Sequence, residues 1–131
     1  MSTGLDNLKI YQMAESLELE VHEFTKTFPS DERFRSVDQL RRSSAAVANN
    51  IAEAYRKLSL KKQVHIFRSI VLGEAEETRT NVLRCGKKRL CEMSKANIIA
   101  EQYLSLIKAV QGYVRFLYRL GEDITHKLAD S

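Results

Sequence analysis

Apolar residues recur along this chain at intervals of three and four, the spacing that gathers side chains onto one face of an α-helix. The first stripe is Ile10, Ala14, Leu17, Val21, Phe24 and Phe28. Asp6 or Asn7 can cap its start. Pro29 ends it, because proline has no N–H to donate and restrains the residue before it. A second stripe runs Val37, Leu40, Ser44, Val47, Ile51, Ala54, Leu58, with small residues over 43–48 that let backbones approach closely. The third is Leu60, Val64, Phe67, Val71, Ala75, Thr78, Val82, with Ser59 as its cap. Gly86 is the expected C-terminal cap, and Lys87-Lys88-Arg89 suit the negative end of the helix dipole. After Ser94, expected to cap the fourth helix, come Ile99, Tyr103, Leu106, Val110, Tyr113, Leu117, Leu120 and Ile124. Gly112 and Gly121 each weaken this last helix by ~1 kcal/mol relative to alanine.

The predicted helices span about 7–28, 31–57, 60–86 and 95–124. Connections this short force consecutive helices to run antiparallel. The expected fold is therefore all-α, an antiparallel up-down-up-down four-helix bundle forming one domain over 1–131. Fraying is expected over 127–131.

Composition narrows this further. The chain has 131 residues, the size of one domain, and one proline with five glycines leaves too little turn material for a β-sandwich. Lysine plus arginine total 21 and aspartate plus glutamate 17, a net charge of +4 that permits an anionic partner without requiring one. The opening Met1-Ser2-Thr3-Gly4-Leu5-Asp6 has neither a basic start nor an apolar run, so no secretory signal is expected. The longest uncharged stretch, 43–52, is rich in alanine, serine and asparagine and falls far short of the ~18 apolar residues of a membrane span. A cytoplasmic protein with reduced Cys85 and Cys91 is the expectation.

Catalytic and metal chemistry find little support. Di-iron bundles need a Glu-x-x-His motif on each of two helices, but Leu19 and Lys62 stand three residues before His22 and His65. Asp123 and His126 make a lone near-match at the chain's end. No glycine-rich phosphate loop and no His-Glu-x-x-His sequence occurs, so no enzyme, cofactor or metal is predicted.

Charge is more informative. No acid lies between Glu53 and Glu74, whereas Arg56, Lys57, Lys61, Lys62 and Arg68 do. Antiparallel packing brings Arg115 and Arg119 to the same end of the bundle. The other end receives Arg33, Arg35, Arg84, Lys87, Lys88 and Arg89, leaving Glu15, Glu18, Glu20, Glu23, Glu74, Glu76 and Glu77 toward the waist. Such an end could grip phosphate; the competing reading is solvated helix termini. Arg41 and Arg42 are expected to form interhelical ion pairs with Glu20, Glu23, Glu76 or Glu77, ahead of binding phosphate. Asn50 and Glu53 should make a polar contact with the neighbouring helix, level with His65 and Arg68. Tyr11, Met13, Leu19, Ile66, Ile70, Phe116 and Tyr118 lie off the stripes, more apolar surface than one bundle can bury, so a homo-oligomer is expected.

The segment Gln39-Leu40-Arg41-Arg42-Ser43-Ser44, followed by Asn50-Ile51-Ala52-Glu53, resembles the signature of the 23S rRNA intervening-sequence proteins. Leu8-Lys9-Ile10-Tyr11-Gln12, Phe28-Pro29, Glu32-Arg33-Phe34, Phe67-Arg68 and Leu72-Gly73-Glu74-Ala75-Glu76-Glu77 fit the same pattern, and the fourth helix matches only in periodicity. Where the family usually has proline and glycine, this chain has Ala48 and Ala54, so its second helix should be straighter. The resemblance implies a four-helix bundle assembled as a ring, a homopentamer, with no enzymatic activity and a link to genes within 23S rRNA insertions. Related bundles are accessory proteins of diversity-generating retroelements, binding nucleic acid and a reverse transcriptase. The leading expectation is an oligomeric bundle binding structured RNA or DNA through basic residues, including rRNA; the alternative is a protein-interaction scaffold that does not touch nucleic acid.

Overall fold

The computed structural model describes residues 4–130. Met1–Thr3 and Ser131 lie outside the described residues, and with them part of the opening segment and of the expected frayed end. Among the described residues there are four long helices and no strand. Helix α1 spans Lys9–Thr25 and α2 spans Asp38–Arg56. Helix α3 is continuous over 60–87 but composite: Leu60–Ile66, a π turn at Phe67–Val71, then Leu72–Lys87. Helix α4 spans Met93–Asp130. A 3-10 turn, Ser30–Glu32, and a π turn, Arg33–Val37, lead into α2.

Side-chain pairs give the helix directions. Ser43 of α2 meets Thr78 of α3, and Asn50 meets Glu74, so residue numbers rise along one helix as they fall along the other. Arg41 reaches back to Thr25 at the end of α1. Gly86 lies against Ala96, and Gly121 against Leu60, which sets α3 and α4 in opposite directions. Thr27 shares a cleft with Lys95, and Met13 one with Ser105, closing the square between α1 and α4. The stripes meet along the axis, where Val21, Val47, Ile51, Phe67, Val71, Val82, Tyr103, Leu106 and Val110 are fully buried. No helix is long and apolar enough to cross a membrane.

Several expectations fail at helix ends. Helix α1 stops at Thr25, short of Phe28. The Thr25 hydroxyl donates to the carbonyls of Val21 and His22, each 3.0 Å away. Phe28 still enters the core, edge-on to Phe24 at 5.1 Å between centroids. The first helical turn has no side-chain cap; Leu8 precedes it. Ser59 does cap α3, accepting from the Lys62 N–H at 3.3 Å. Helix α4 begins at Met93, with the Glu92 carbonyl rather than Ser94 taking its first bonds, and it remains helical through Asp130 instead of fraying from 127. Leu58 leaves the predicted stripe altogether: it sits fully exposed in the α2–α3 turn, because Lys57 turns to an extended conformation. Ile66, expected on the surface, is core.

Gly86 is not the cap of α3. It lies inside the helix, where an added Cβ would stand 2.7 Å from the Met93 sulfur and 3.2 Å from the Ala96 methyl. Its lack of a side chain serves close packing of α3 on α4. The cap falls three residues later, at Arg89, in the left-handed region with φ 63°. The Arg89 N–H donates to the Gly86 carbonyl at 3.0 Å and the Leu90 N–H to the Cys85 carbonyl at 3.1 Å, the paired bonds of a Schellman end. Glycine is the usual residue there, since an L side chain strains the left-handed region by roughly 1–2 kcal/mol. Arg89→Gly should therefore stabilise the protein by about 1 kcal/mol, read as a higher midpoint in urea with an unchanged slope; a lower midpoint would contradict this account of the turn.

Candidate nucleic-acid interface

The basic residues predicted at one end of the bundle separate into two groups. Arg56, the last residue of α2, and Lys62 are exposed around the α2–α3 turn. Lys57 is half-buried and its ammonium lies 2.9 Å from Glu53, one turn earlier. That bond and charge hold the Glu53 carboxyl below its ordinary range. Glu53 thus contacts its own helix, not the neighbouring helix as expected, and Lys57 is the least available cation of the set.

Lys61 and Lys62 stand in the first turn of α3. Cations are disfavoured at the positive end of a helix dipole. Their presence is therefore not explained by the dipole rule, which does account for Lys87 and Lys88 at the other end of α3.

The second group centres on Arg68 at the α3–α4 seam. Arg68 belongs to the π turn, whose extra residue per turn re-aims the side chains around it. Its guanidinium donates to the Tyr118 hydroxyl at 2.7 Å and stands 6.0 Å from the ring centroid. Tyr118 is half exposed, with Arg115 three residues before it and Arg119 directly after, both exposed. Lys61 shares a cleft with Tyr118 one to two turns further along. The seam therefore places Arg68 and Lys61 beside one accessible aromatic ring, while Arg115 and Arg119 lie on the outer face of α4 and the Arg115 guanidinium reaches back toward Gly112. Glu122 and His126 line the same cleft, an acid and an imidazole that sequence reasoning left out of the site. Tyr118 was noted in the sequence only as surplus apolar surface; its spacing from Arg115 and Arg119 was the signal that could have placed it here.

The family-motif residues Arg41, Arg42, Asn50 and Glu53 all make contacts within the chain. Arg41 Nε donates to the Thr25 hydroxyl at 2.9 Å, and its Nη2 lies 3.4 Å from the His22 carbonyl. It closes the end of α1, where carbonyls lack helical partners. Arg42 pairs with Asp38 on its own helix at 2.9 Å. The expected interhelical ion pairs to glutamate do not form: Arg41 is taken up by the end of α1 and Arg42 by Asp38. Glu23 bonds Lys26, Glu76 bonds Arg79, and Glu20 faces α4 across a cleft shared with Gln102. Asn50 does bridge two helices, but its amide donates to Glu74 at 3.2 Å and to the Ala46 carbonyl at 2.9 Å, not to Arg68 or His65. Partial burial and the nearby Glu77 charge raise the Glu74 carboxyl above its ordinary range, opposed by the Asn50 bond.

At the opposite end Arg33, Arg35, Arg84, Lys87, Lys88 and Arg89 lie at or near the surface. Arg33 lies over the Phe34 ring at 5.6 Å, and Arg84 donates to Asn81 at 2.8 Å. Among the described residues no cluster of histidine, cysteine and acid could hold a metal ion. Cys85 and Cys91 are free thiols; burial pushes Cys91 up to about 11 and raises Cys85 as well, so neither carries the thiolate a nucleophile needs.

The family model described as 23S rRNA-intervening sequence protein matches residues 6–112. No curated protein matches the chain.

The contrast between Arg41 and Arg42 should show in stability. Arg41→Ala removes a charged donor from the Thr25 hydroxyl, which keeps its own bonds to the Val21 and His22 carbonyls, and opens the end of α1; it should cost about 1–3 kcal/mol. Arg42→Ala removes an exposed pair within one helix and should cost under about 0.5 kcal/mol; equal losses in urea titrations would refute the distinction. For Glu74, a folded-state carboxyl held above its unfolded value is penalised when ionised, so its drag on stability is present near pH 7 and disappears as pH falls below the unfolded value. Glu74→Gln should accordingly stabilise the protein more at pH 7 than at pH 4. A gain independent of pH would rule out this cause.

Proposed function

The chain belongs to the 23S rRNA-intervening sequence protein family, and from that premise we propose that it is a non-enzymatic, self-associating bundle of the cytoplasm that binds structured RNA or DNA through basic residues at one end. What supports this reading most is the Arg68 guanidinium bonded to the exposed Tyr118 hydroxyl, with Lys61 lining the same cleft as that ring. Guanidinium and ammonium groups take phosphate oxygens in any sequence, and an aromatic face accepts a base by stacking. Arg56 and Lys62 extend the charge around the α2–α3 turn. Their contacts carry no base-edge pattern, so recognition is of backbone and shape. Self-association, as a ring of five in the reading drawn from the family resemblance, multiplies a weak end into a strong one through effective concentration.

A second reading is a protein-interaction scaffold. It is favoured by two fully or largely exposed apolar side chains, Leu58 at one end and Phe34 at the other.

The two separate in a salt titration of binding to a 23S rRNA fragment. Wild type is compared with Arg56, Lys57, Lys61 and Lys62 changed together to alanine, and with Arg68, Arg115 and Arg119 changed together. All seven positions lie outside the buried core, so both variants should fold, as circular dichroism can verify. Each lost phosphate contact should lower the log–log salt slope by roughly 0.7–0.9, and Lys57, held by Glu53, should contribute least. Curves overlapping wild type for both variants would reject this end as the binding surface. No binding by wild type at low salt would favour the scaffold.

A further inference from the structure

The end of the bundle away from Tyr118 holds a buried donor with nothing to donate to. Asn81 of α3 is only 8% exposed. Its Oδ1 accepts from Arg84 Nη1 at 2.8 Å, which fixes the orientation of the amide. The Nδ2 on the other side is buried and has no acceptor. A buried donor left unpaired is costly, and in a folded protein it marks a place for a water or an ion. Asn81 forms part of the wall of a small polar pocket of about 30 Å³, together with Ser36 and Gln39 around the start of α2 and Arg84 and Lys88 at the end of α3. Asn81, Arg84 and Lys88 follow one another at intervals of three and four, so they fall on one face of the helix. Two cations four residues apart repel each other. Neither forms an ion pair among the described residues.

We propose that this pocket binds one phosphate group: an oxygen enters and accepts from Asn81 Nδ2, and the other oxygens sit at the mouth between Arg84 and Lys88. The chemistry of the walls favours an oxyanion over a water. Asn81 Nδ2, the guanidinium and the ammonium can only donate. A water accepts two hydrogen bonds at most and answers neither charge, whereas a phosphate offers several acceptor oxygens and opposes both. The pocket has room for about one oxygen-sized guest. The rest of the group therefore stays at the surface, where Arg84, Lys88 and Gln39 are exposed. The Ser36 hydroxyl gives its proton to Glu32 at 2.8 Å, so it is not a donor to the guest. Glu32 is the opposing charge, one carboxylate against two cations. The helix dipole explains why a lysine stands at position 88 and leaves its ammonium free to act. This site lies at the other end of the bundle from the Lys61–Tyr118 cleft and does not depend on it. The phosphate group can belong to a nucleic-acid backbone or to a free phosphate; the contacts are the same.

Titration with inorganic phosphate, followed by NMR at the Asn81 side-chain amide, tests this, with potassium chloride at matched ionic strength as the control. Wild type should show a saturable shift at concentrations on the order of 1 mM, as expected for a single small anion. Asn81→Asp keeps an acceptor for Arg84 but replaces the inward donor with a negative charge, and should abolish phosphate binding, read in that variant at the Arg84 side chain. Lys88→Gln changes an exposed position, so its fold should persist, and should raise the half-saturating concentration roughly two- to fivefold. Changing Arg68, Arg115 and Arg119 together should leave the phosphate response intact, since they belong to the other end. No saturable shift in wild type, an equal response to chloride, or wild-type binding by both Asn81→Asp and Lys88→Gln would overturn the proposal and leave the pocket to a water only. Circular dichroism separates a lost site from a lost fold. The same two variants in the rRNA salt titration identify the source of the phosphate. RNA affinity that falls along with phosphate binding points to a nucleic-acid backbone, and unchanged RNA affinity points to a free phosphate. Because the phosphate titration contains no RNA, its outcome is independent of whether the chain binds nucleic acid through the Tyr118 end.

Discussion

Most of this molecule depends on α3 lying flush against α4. The contact is held at three levels: Gly86 against Met93 and Ala96 beside the connection, Phe67 edge-on to Tyr113 at 5.3 Å in the middle, and Leu60 against Gly121 at the far end. A glycine at each end lets a neighbouring side chain lie close to the helix backbone. Between them the π turn of α3 adds a residue without breaking the helix, and Phe67 and Val71 within it are both fully buried. A turn of this kind rotates the later half of a helix relative to the earlier half. Arg68 is carried by the same turn, so the geometry that completes the core also brings a cation onto Tyr118.

Helix α2 is tied in by polar groups rather than by charge. The Thr78 hydroxyl bonds both Ser43 at 2.9 Å and the Glu74 carbonyl at 2.8 Å, and Asn50 reaches Glu74 one turn away. These bonds sit among small side chains, where helices come close enough for short polar groups to meet. Hydrophobic burial alone tolerates some sliding of one helix along another; paired hydrogen-bonding groups do not, because a slip leaves them buried and unsatisfied. The ion pairs joining Lys26 with Glu23, Arg42 with Asp38, Lys57 with Glu53 and Arg79 with Glu76 each link residues three or four apart. They steady individual helices and contribute little to holding the bundle together.

The two ends of the bundle differ in kind although both are basic. At the α3–α4 connection, Lys87 and Lys88 agree with the helix dipole and need no further explanation. At the α2–α3 turn, Lys61 and Lys62 oppose it, and Arg68 stands nearby on the seam. The proposed negatively charged partner would offset that local electrostatic cost at Lys61 and Lys62. The long α4 adds to this end a helix surface that the rest of the chain leaves uncovered.

The three-and-four spacing of apolar residues carried the fold: Ile10 to Phe28, Leu40 to Ala54 and Ile99 to Leu117 are buried much as the periodicity requires. It could do so because burial on a helix face depends only on spacing along one chain segment. Helix ends were less legible. Arg89 holds a left-handed position that sequence preference gives to Gly86, because the tight approach of α4 demands the glycine inside α3 instead. The role of Arg41 was hidden for a related reason: its partners, Thr25 and the His22 carbonyl, are ends of another helix that only packing brings within reach. Sequence alone determined four amphipathic helices and a basic stretch free of acids between Glu53 and Glu74. Tertiary structure alone decided that Lys61 and Arg68 stand beside the Tyr118 ring and that α4 outruns its neighbours, because both depend on the axial offset between helices, which is set by side chains meeting across them.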